Sequence, residues 1–253
     1  ENAIVETGIK PEAYISRAWD TGAQMYKIAF DAESEQRFGG PYLNIHRGDR
    51  FERLVSMSSP SLGLQTYRDR ALAADDPRRR ETYACGDVNT SLLQTARGRT
   101  VLLQHDVVSP RPYSRINMIS GTLGTFADYP PRIFFDEASK LAPPRKKGED
   151  EDWLRIEQNP KKRKAGGLED RYEDTLWKKL AKVASKSGHG GMDYVMSWRL
   201  VECMREGLPP DMDVYDAAAW SAPAALSELS VARGNAPVEF PDFTRGRWAE
   251  KRG

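Results

Sequence analysis

Apolar and polar side chains alternate most clearly between residues 86 and 136, which is the pattern of half-buried β-strands. Gly98, in the turn over residues 96–99, can adopt a positive φ and so permits a tight connection between two strands. We therefore expect an antiparallel meander of four or five strands here, and a further strand at residues 53–58. The predicted meander strands cover residues 87–95, 100–108, 114–120, 125–127 and 132–135.

The C-terminal third of the chain is instead predicted to be helical. A first helix over residues 171–185 is followed by the flexible glycine-rich break at 188–191. Asp193 is placed to cap a second helix, and Gly207 with the prolines that follow is placed to end it. Asp213 caps a third helix, in which Asp216 faces the positive end of the helix dipole.

Helical spacing also predicts which faces of these helices are apolar. Pro223 should kink or split the third helix, and residues 238–240 should return as an edge strand. The second helix carries one broad apolar face, formed by Val195, Met196, Trp198, Val201 and Met204. The expected core face of the third helix is Val214, Ala217, Ala218, Leu226 and Leu229.

Residues 137–169 carry many charges and few apolar side chains. Two basic runs flank an acidic block at 149–152; the basic runs alone would fit a nuclear-localisation signal or a phosphate-binding patch. The acidic block favours a solvated, self-neutralising insertion. We therefore expect an unassigned segment at 1–40, a sheet-and-helix domain at 41–136 and 170–249, and a charged surface insertion at 137–169.

Composition excludes some classes of partner. The chain has 253 residues, with 38 Lys and Arg against 37 Asp and Glu and a formal net charge of +1. Proteins that grip nucleic acid or an anionic membrane usually carry a basic surplus, so neither partner is expected. No stretch approaches the ~18 consecutive apolar residues that span a bilayer.

The two cysteines, Cys85 and Cys203, have no histidine at metal-ligand spacing. A cysteine zinc site and a disulfide framework are therefore not expected, and no metal site is predicted. Two buried free thiols are favoured over a single Cys85–Cys203 bridge, which the sequence leaves open.

Several polar residues stand in positions that suit a ligand. His105 and Asp106 interrupt an apolar strand, as either a hydrogen-bonded core histidine or part of a site. Arg111 and Tyr113 follow on a connection stiffened by prolines, where a guanidinium and a phenol would suit a polar ligand such as a sugar. The alternative for them is ordinary surface packing.

His189, within the glycine-rich break, could line a cleft with Asp193, although a simple turn is favoured on spacing alone. This break lacks the third spaced glycine of Gly-x-Gly-x-x-Gly and follows no strand. The chain also lacks a Walker A sequence, a Gly-x-Ser-x-Gly elbow and a His-Glu-x-x-His motif. We therefore assign no nucleotide cofactor site from these patterns.

Several longer motifs resemble one enzyme family. They are Asn-Ile-His-Arg-Gly-Asp-Arg at 44–50, Arg-Pro-Tyr-Ser-Arg at 111–115, Gly-His-Gly-Gly-Met-Asp-Tyr at 188–194, Leu-Pro-Pro-Asp-Met-Asp-Val-Tyr-Asp-Ala-Ala-Ala-Trp at 208–220, Leu-Ser-Glu at 226–228 and Pro-Asp-Phe-Thr-Arg-Gly-Arg-Trp at 241–248. Together they are similar to the C-terminal part of the NAD-dependent α-N-acetylgalactosaminidases, glycoside hydrolase family 109. The resemblance covers roughly residues 41–136 and 170–249.

This resemblance implies a fold and a reaction. The family belongs to the Gfo/Idh/MocA-type oxidoreductases, in which an open antiparallel sheet flanked by helices follows a Rossmann domain; the present chain is thus expected to be α+β with the Rossmann domain absent. In the implied reaction, NAD+ takes hydride from sugar C3, a base removes the C2 proton, the aglycone leaves C1, water adds and the hydride returns. The configuration at C1 is retained without the paired acids of most glycosidases.

The departures from the family limit which residues can be assigned. The family segment Tyr-Pro-Thr-His, which supplies a catalytic histidine, corresponds to residues 36–41 of this chain, and these contain no histidine. The resemblance carries over Tyr113 as a sugar-binding residue. Arg111, His105 and His189 are further substrate-binding candidates, and although His105 and His189 lie in matching motifs, no catalytic role transfers to them. It identifies no catalytic residue and no NAD contact, so we expect the isolated chain to be inactive.

Two alternatives stay open. The first is a non-catalytic binding module or homo-oligomer that works through its sheet face, and the second is a sugar oxidoreductase of the same superfamily. No signal-peptide pattern is readable after Glu1. Because family members often carry export signals, the compartment stays unassigned.

Overall fold

The structure is a computed structural model, and it describes most of the chain from Ile45 onward. The predicted N-terminal segment, Tyr113 and most of 137–169 lie outside the described residues. The described residues are 45–106, 108–112, 114, 118–127, 130–139, 142, 144, 152–157, 162 and 175–250.

The described elements are eight strands and four α-helices, with short 3-10 turns between them. The strands are β1 (Phe51–Ser58), β2 (Val88–Thr95), β3 (Thr100–Asp106), β4 (Met118–Gly121), β5 (Gly124–Ala127), β6 (Arg132–Phe135), β7 (Leu154–Arg155) and β8 (Val238–Glu239). The helices are α1 (Leu62–Ala71), α2 (Thr175–Ala184), α3 (Met192–Glu206) and α4 (Val214–Ala232). The described parts of 41–113 and 214–253 form one compact unit, and those of 114–213 form a second.

The first unit is an antiparallel sheet of order β3-β2-β1-β8 with α4 packed against β1. Its core contains Ile45, Phe51, Leu54, Leu93, Ala219 and Phe240. The rings of Phe51 and Phe240 lie 5.1 Å apart, so the segment after β8 helps to close the core beside β1. The predicted edge strand after α4 is confirmed as β8.

The second unit contains the antiparallel sheet β4-β5-β6-β7 and the helix pair α2 and α3. The α+β class with open antiparallel sheets is therefore confirmed, but the single predicted meander divides into two sheets. The alternation located most of the strands correctly. It could not show that β3 and β4 belong to different sheets, since strand patterning carries no information about which strands pair.

Helix α4 contradicts most of its predicted core face, of which Leu226 packs against the core while Val214, Ala217 and Leu229 are exposed. Val214 is 72% exposed, whereas the buried positions are Asp216, Ala219, Pro223, Ser227 and Ser230. These recur at helical spacing, but they are small or polar, so hydrophobicity did not mark them. The helix is also continuous through Pro223, which contradicts the predicted split.

The buried hydroxyls of α4 are satisfied, that of Ser227 by the Ala224 carbonyl within the helix and that of Ser230 by the sheet and the following loop. The Ser56 backbone N–H donates to Ser230 Oγ at 2.9 Å, and Ser230 Oγ donates to the Ala236 carbonyl at 2.7 Å. Ser91 Oγ lies 2.9 Å from Ser56 Oγ. These bonds let small polar residues pack between helix and sheet without the cost of an unpaired buried hydroxyl.

In the second unit, α3 begins after Gly191, so the prediction that Asp193 is its N-cap is wrong; Asp193 lies within the first turn. Gly191 has φ 102°, and a Cβ there would lie 2.9 Å from the carbonyl carbon of Ala184, so only glycine fits. The predicted end of α3 at Gly207 is confirmed.

Both cysteines are free thiols: Cys203 of α3 is buried and Cys85 is half-buried. The broad apolar face of α3 is largely exposed, with Met196, Val201 and Met204 at 41%, 49% and 67%. Among the described helices, none combines the length and hydropathy needed to cross a bilayer.

Candidate functional site

The end of β3 carries His105 and Asp106, the polar pair that interrupts its apolar run. His105 is half-buried and lies opposite Asn89 of β2. Alternation along β3 places it on the same face as Val101 and Leu103, both of which pack against the core. This position favours the first alternative for His105, a histidine of the core-facing side of the sheet.

Asp106 organises the loop that follows β3. Its Oδ1 accepts hydrogen bonds from the backbone N–H groups of Val108 at 3.3 Å and Ser109 at 3.0 Å. Burial of the carboxyl acts to raise the pKa of Asp106, but these hydrogen bonds and the charge of Arg111 outweigh it and lower the pKa. Asp106 is therefore ionised at neutral pH.

Arg111 is held by that carboxylate. Its Nε lies 3.3 Å from Asp106 Oδ2, with the arginine side chain 34% exposed and the aspartate 8% exposed. The ion pair fixes one edge of the guanidinium and leaves part of the fork open to solvent. An arginine held in this way can donate to ligand hydroxyl or carbonyl oxygens.

A second carboxylate, Asp87, lies near this loop and caps α1. Its Oδ2 accepts from the backbone N–H groups of Leu62 at 2.9 Å and Gly63 at 2.7 Å. The Gly63 hydrogen bond is the main cause of a lowered pKa at Asp87. A Cβ at Gly63 would meet Val108 Cγ1 at 2.5 Å, so α1 approaches the loop after β3 closely.

The end of β3 and the loop after it therefore form a corner of the first unit that holds two ionised carboxylates, those of Asp87 and Asp106, and the half-exposed guanidinium of Arg111. Both carboxyls have lowered pKa values, so neither stores a proton at neutral pH. A two-carboxylate glycosidase needs one acid with a raised pKa. The corner is thus equipped to accept and donate hydrogen bonds to a polar ligand rather than to act as a general acid.

The other predicted site residues are not tested by the structure. Tyr113 lies outside the described residues. His189 has a described backbone, in the 3-10 turn His189–Gly191 of the second unit, but its side chain lies outside the description. From the predicted set, the described residues show one contact, the ion pair between Asp106 and Arg111, while alternation places His105 on the opposite, core-facing side of β3.

A second polar cluster, which the sequence did not single out as a site, surrounds the turn of residues 45–50. Asp49 is fully buried and accepts from the backbone N–H groups of Arg50 and Arg97. Its Oδ2 also lies 2.7 Å from Arg99 Nη1. The Gly48 N–H donates to the Trp248 carbonyl at 2.7 Å, so the turn joins the β2–β3 hairpin to the C-terminal segment.

The same turn is tied to α4 by Arg47. Its two terminal nitrogens lie 2.9 Å from the two carboxylate oxygens of Asp216, a bidentate pair. Asp216 was predicted only to face the helix dipole; its partner is 169 residues away in the chain. In the sequence, Arg47 lies in the motif at 44–50 and Asp216 in the motif at 208–220, and no pattern linked the two residues. Their bonds are directed inward, and the cluster is a structural tie.

The described residues contain no group of three or more His, Cys, Asp and Glu side chains arranged to hold a metal ion.

The comparison with family models matches residues 39–250 to Glycosyl hydrolase 109, C-terminal domain. A Glycosyl hydrolase family 109 protein of Solibacter usitatus (strain Ellin6076) is 52% identical over 208 residues, covering 82% of this chain and 43% of that protein.

Another family 109 protein, from Saccharopolyspora erythraea, is 46% identical over 234 residues, covering 92% of this chain and 45% of that protein. The chain thus spans less than half the length of these relatives. Among solved structures, an oxidoreductase domain protein from Kribbella flavida aligns with TM-score 0.46 and 13% identity, over 77% of this chain and 47% of that one. An inositol dehydrogenase homolog complexed with NAD+ from Azotobacter vinelandii aligns with TM-score 0.39 and 16% identity, over 76% and 43%.

Proposed function

The chain belongs to glycosyl hydrolase family 109 through its C-terminal domain, and we propose that it forms the sugar-facing part of an NAD-dependent α-N-acetylgalactosaminidase. Such an enzyme would remove terminal α-linked N-acetylgalactosamine. The observation that supports this role most directly is the corner at the end of β3, where Asp106 fixes the half-exposed Arg111 just before Tyr113. A fixed cation two residues before a tyrosine in the sequence suits a site for the hydroxyl and amide oxygens of an acetamido sugar.

In this role the residues of the chain bind and orient the sugar. Arg111 would donate to a sugar oxygen while Asp106 keeps its guanidinium from rotating away. Tyr113 would contribute its phenol, as the family resemblance implies. Asp106 and Asp87 remain ionised, so they would accept hydrogen bonds from sugar hydroxyls rather than protonate the leaving group.

The described residues do not fit NAD. Every strand pairing in the described sheets is antiparallel, whereas a dinucleotide site needs a strand that runs through a glycine-rich turn into a helix, beside a parallel strand. The glycine-rich turn of this chain follows α2, a helix. We therefore assign no NAD contact to this chain and expect it to show no turnover by itself.

A chimera tests the proposal. Residues 39–250 would replace the matching portion of the Solibacter usitatus relative, and hydrolysis of an aryl α-N-acetylgalactosaminide would be measured. The chimera should turn over the substrate, and the isolated 253-residue chain should not. In the chimera, Arg111→Gln should raise KM about tenfold, the equivalent of one charge-assisted hydrogen bond.

Arg80→Gln is the matched control, because Arg80 is exposed and lies in the Pro77–Arg80 turn. It removes the same charge and should leave KM unchanged. A folded chimera that oxidises free sugars but cleaves no glycoside would replace the proposal with a sugar oxidoreductase. Turnover by the isolated chain would contradict the expected dependence on the rest of the protein.

We also propose a second role, self-association through the outer face of the first sheet. Met57, Leu92 and Leu102 are 62%, 50% and 66% exposed, and Leu92 lies directly opposite Leu102 across β2 and β3. Alternation places all three on the face opposite to the core. Clustered apolar side chains of this kind are typical of protein interfaces.

Light scattering after size-exclusion chromatography tests this second role. The chain should elute as an oligomer, and Leu102→Glu should shift it toward the monomer. Val214→Glu is the control, since it places the same charge on an apolar side chain that is 72% exposed at the start of α4. A monomer at all concentrations would exclude self-association.

A further inference from the structure

One face of the second sheet combines aromatic, hydroxyl and cationic side chains. The strand registers align Ser120, Thr125 and Phe134 in one row across β4, β5 and β6. Ile133 pairs with Leu154 of β7, so Trp153, one residue before Leu154, continues this row. The adjacent row ends in Arg132 and Arg155, which lie directly opposite each other.

Contacts within this face hold Trp153 in place. The Arg132 guanidinium lies 5.0 Å from the centroid of the Trp153 ring, and Phe134 meets that ring at 6.5 Å and 71°, an edge-to-face contact. Trp153 is still half-exposed with both contacts made. An immobilised and accessible indole can stack on an apolar ring face with little loss of side-chain entropy.

Two arginines, Arg132 and Arg155, place positive charge on this face. Like charges placed directly opposite across two strands repel each other. Within the part of the chain that the structure describes, no carboxylate pairs with Arg132 or Arg155, and the Arg132 Nε is shielded from solvent without an acceptor. A negatively charged ligand would relieve the repulsion and use the terminal nitrogens of both side chains.

The hydroxyl row completes the pattern. The Thr125 hydroxyl donates to Ser120 Oγ at 3.2 Å, and Ser120 is exposed. Hydroxyls beside an aromatic ring match the alternating polar edges and apolar faces of a sugar. We propose that this face, formed by Ser120, Thr125, Arg132, Phe134, Trp153 and Arg155, is a carbohydrate subsite selective for a sugar that bears a carboxylate.

That the ligand is a sugar rests on the proposed function; that it is an anion rests on the two arginines. In a glycosidase, such a subsite would hold an acidic sugar of the glycan from which the terminal residue is cut. The indole would stack on the sugar ring, the hydroxyls would exchange hydrogen bonds with its edge, and the arginines would bind the carboxylate.

Isothermal titration calorimetry of the 253-residue chain tests this without any catalysis. The probe is a disaccharide of a uronic acid and N-acetylgalactosamine, compared with its uncharged methyl ester. The acid should bind at least about tenfold more tightly than the ester, as expected for one charge-assisted contact. Arg132→Gln and Arg155→Gln should each reduce this preference, whereas Trp153→Phe should weaken both ligands.

Arg53→Gln is the matched control, because Arg53 is 59% exposed in the first unit, and it should change nothing. Arg132→Lys keeps the charge and packing and should retain part of the preference, which separates recognition from a folding defect. Equal binding of acid and ester would overturn the proposal. So would displacement by inorganic sulfate at equal concentration, or tighter binding of a nucleoside monophosphate. These binding measurements do not depend on catalysis, so a chimera that fails to hydrolyse the glycoside would leave their result unchanged.

Discussion

The two sheets of this protein have the same number of strands but very different degrees of burial. In the first sheet, Leu54 and Leu93 are almost completely buried, and α4 covers β1. In the second sheet, the buried apolar residues among those described are Ala127 and Phe135, while its other apolar positions are half-exposed or exposed. Of the two sheets, the first therefore contributes more of the buried apolar surface that stabilises the described fold.

This difference in burial suggests different roles for the two units: the first provides a rigid core, and the second presents accessible side chains. The first unit combines a buried core with inward-directed ion pairs, which together fix its geometry. The second unit keeps aromatic, cationic and apolar groups accessible, on the face that includes Trp153 and on the exposed side of α3. We infer that substitutions of the buried residues of the first unit change mainly the free energy of unfolding, and that those on the accessible faces of the second unit change mainly binding.

The largest effect should come from emptying a core position. Leu54→Ala removes a side chain that is 0% exposed and should lower the free energy of unfolding by about 3 kcal/mol. The matched change in the second sheet, Leu154→Ala, removes a half-exposed leucine and should lower it by about 1 kcal/mol or less. Urea unfolding followed by far-ultraviolet circular dichroism measures both. Equal losses would show that the two sheets do not differ as described.

Breaking the tie between the 45–50 turn and α4 should rank next. Asp216→Ala leaves Arg47 without its bidentate partner and should cost about 2–3 kcal/mol, below the value for a fully buried pair because Arg47 is 26% exposed. Glu52→Ala is the control: its side chain is 41% exposed and lies 3.7 Å from Arg50, so it should cost less than about 0.5 kcal/mol. A negligible cost for Asp216→Ala would mean that the pair does not stabilise the unit.

The cap of α1 should give the smallest effect and a distinct pH signature. Asp87→Asn weakens the acceptor for three backbone N–H groups and should cost about 1 kcal/mol at neutral pH. The folded pKa of Asp87 is lowered, so its contribution is present above the ordinary pKa and disappears as the pH falls through the folded value.

Wild type and Asp87→Asn should therefore converge in stability as the pH is lowered below about 4. Thermal unfolding at several pH values, with Asp75→Asn as the exposed control, measures the convergence. A constant difference between wild type and Asp87→Asn at all pH values would show that the charge of the carboxylate is not what caps the helix.

Sequence pattern was sufficient for most individual elements and insufficient for their assembly. The β2–β3 hairpin followed from alternation around Gly98, and the end of α3 followed from Gly207. The division into two sheets depends on pairings that alternation does not encode. The buried face of α4 was missed because its residues are small or polar, and because the hydrogen bond between Ser230 and the distant strand β1 leaves no signal in the sequence.

The candidate site shows the same limit. Asp106 and Arg111 are close in sequence, and each was singled out, but in separate pairs, and their ion pair was not predicted. Trp153 was missed because it lies in a segment whose charged composition predicted only a solvated insertion, yet β7 within that segment pairs with β6. Arg47 and Asp216 meet through tertiary folding alone, which no local signal encodes.

The turn at residues 45–50 also constrains how this domain can be recombined. Asp49 uses donors from residues 97 and 99, Gly48 uses the carbonyl of Trp248, and the Arg50 guanidinium lies 5.9 Å from the Trp248 ring centroid. These partners occupy three separate stretches of the chain. A crossover between them would combine contact residues from two different parents, which need not fit each other. Family-shuffling libraries should therefore inherit residues 45–50, 97–99 and 242–248 from a single parent.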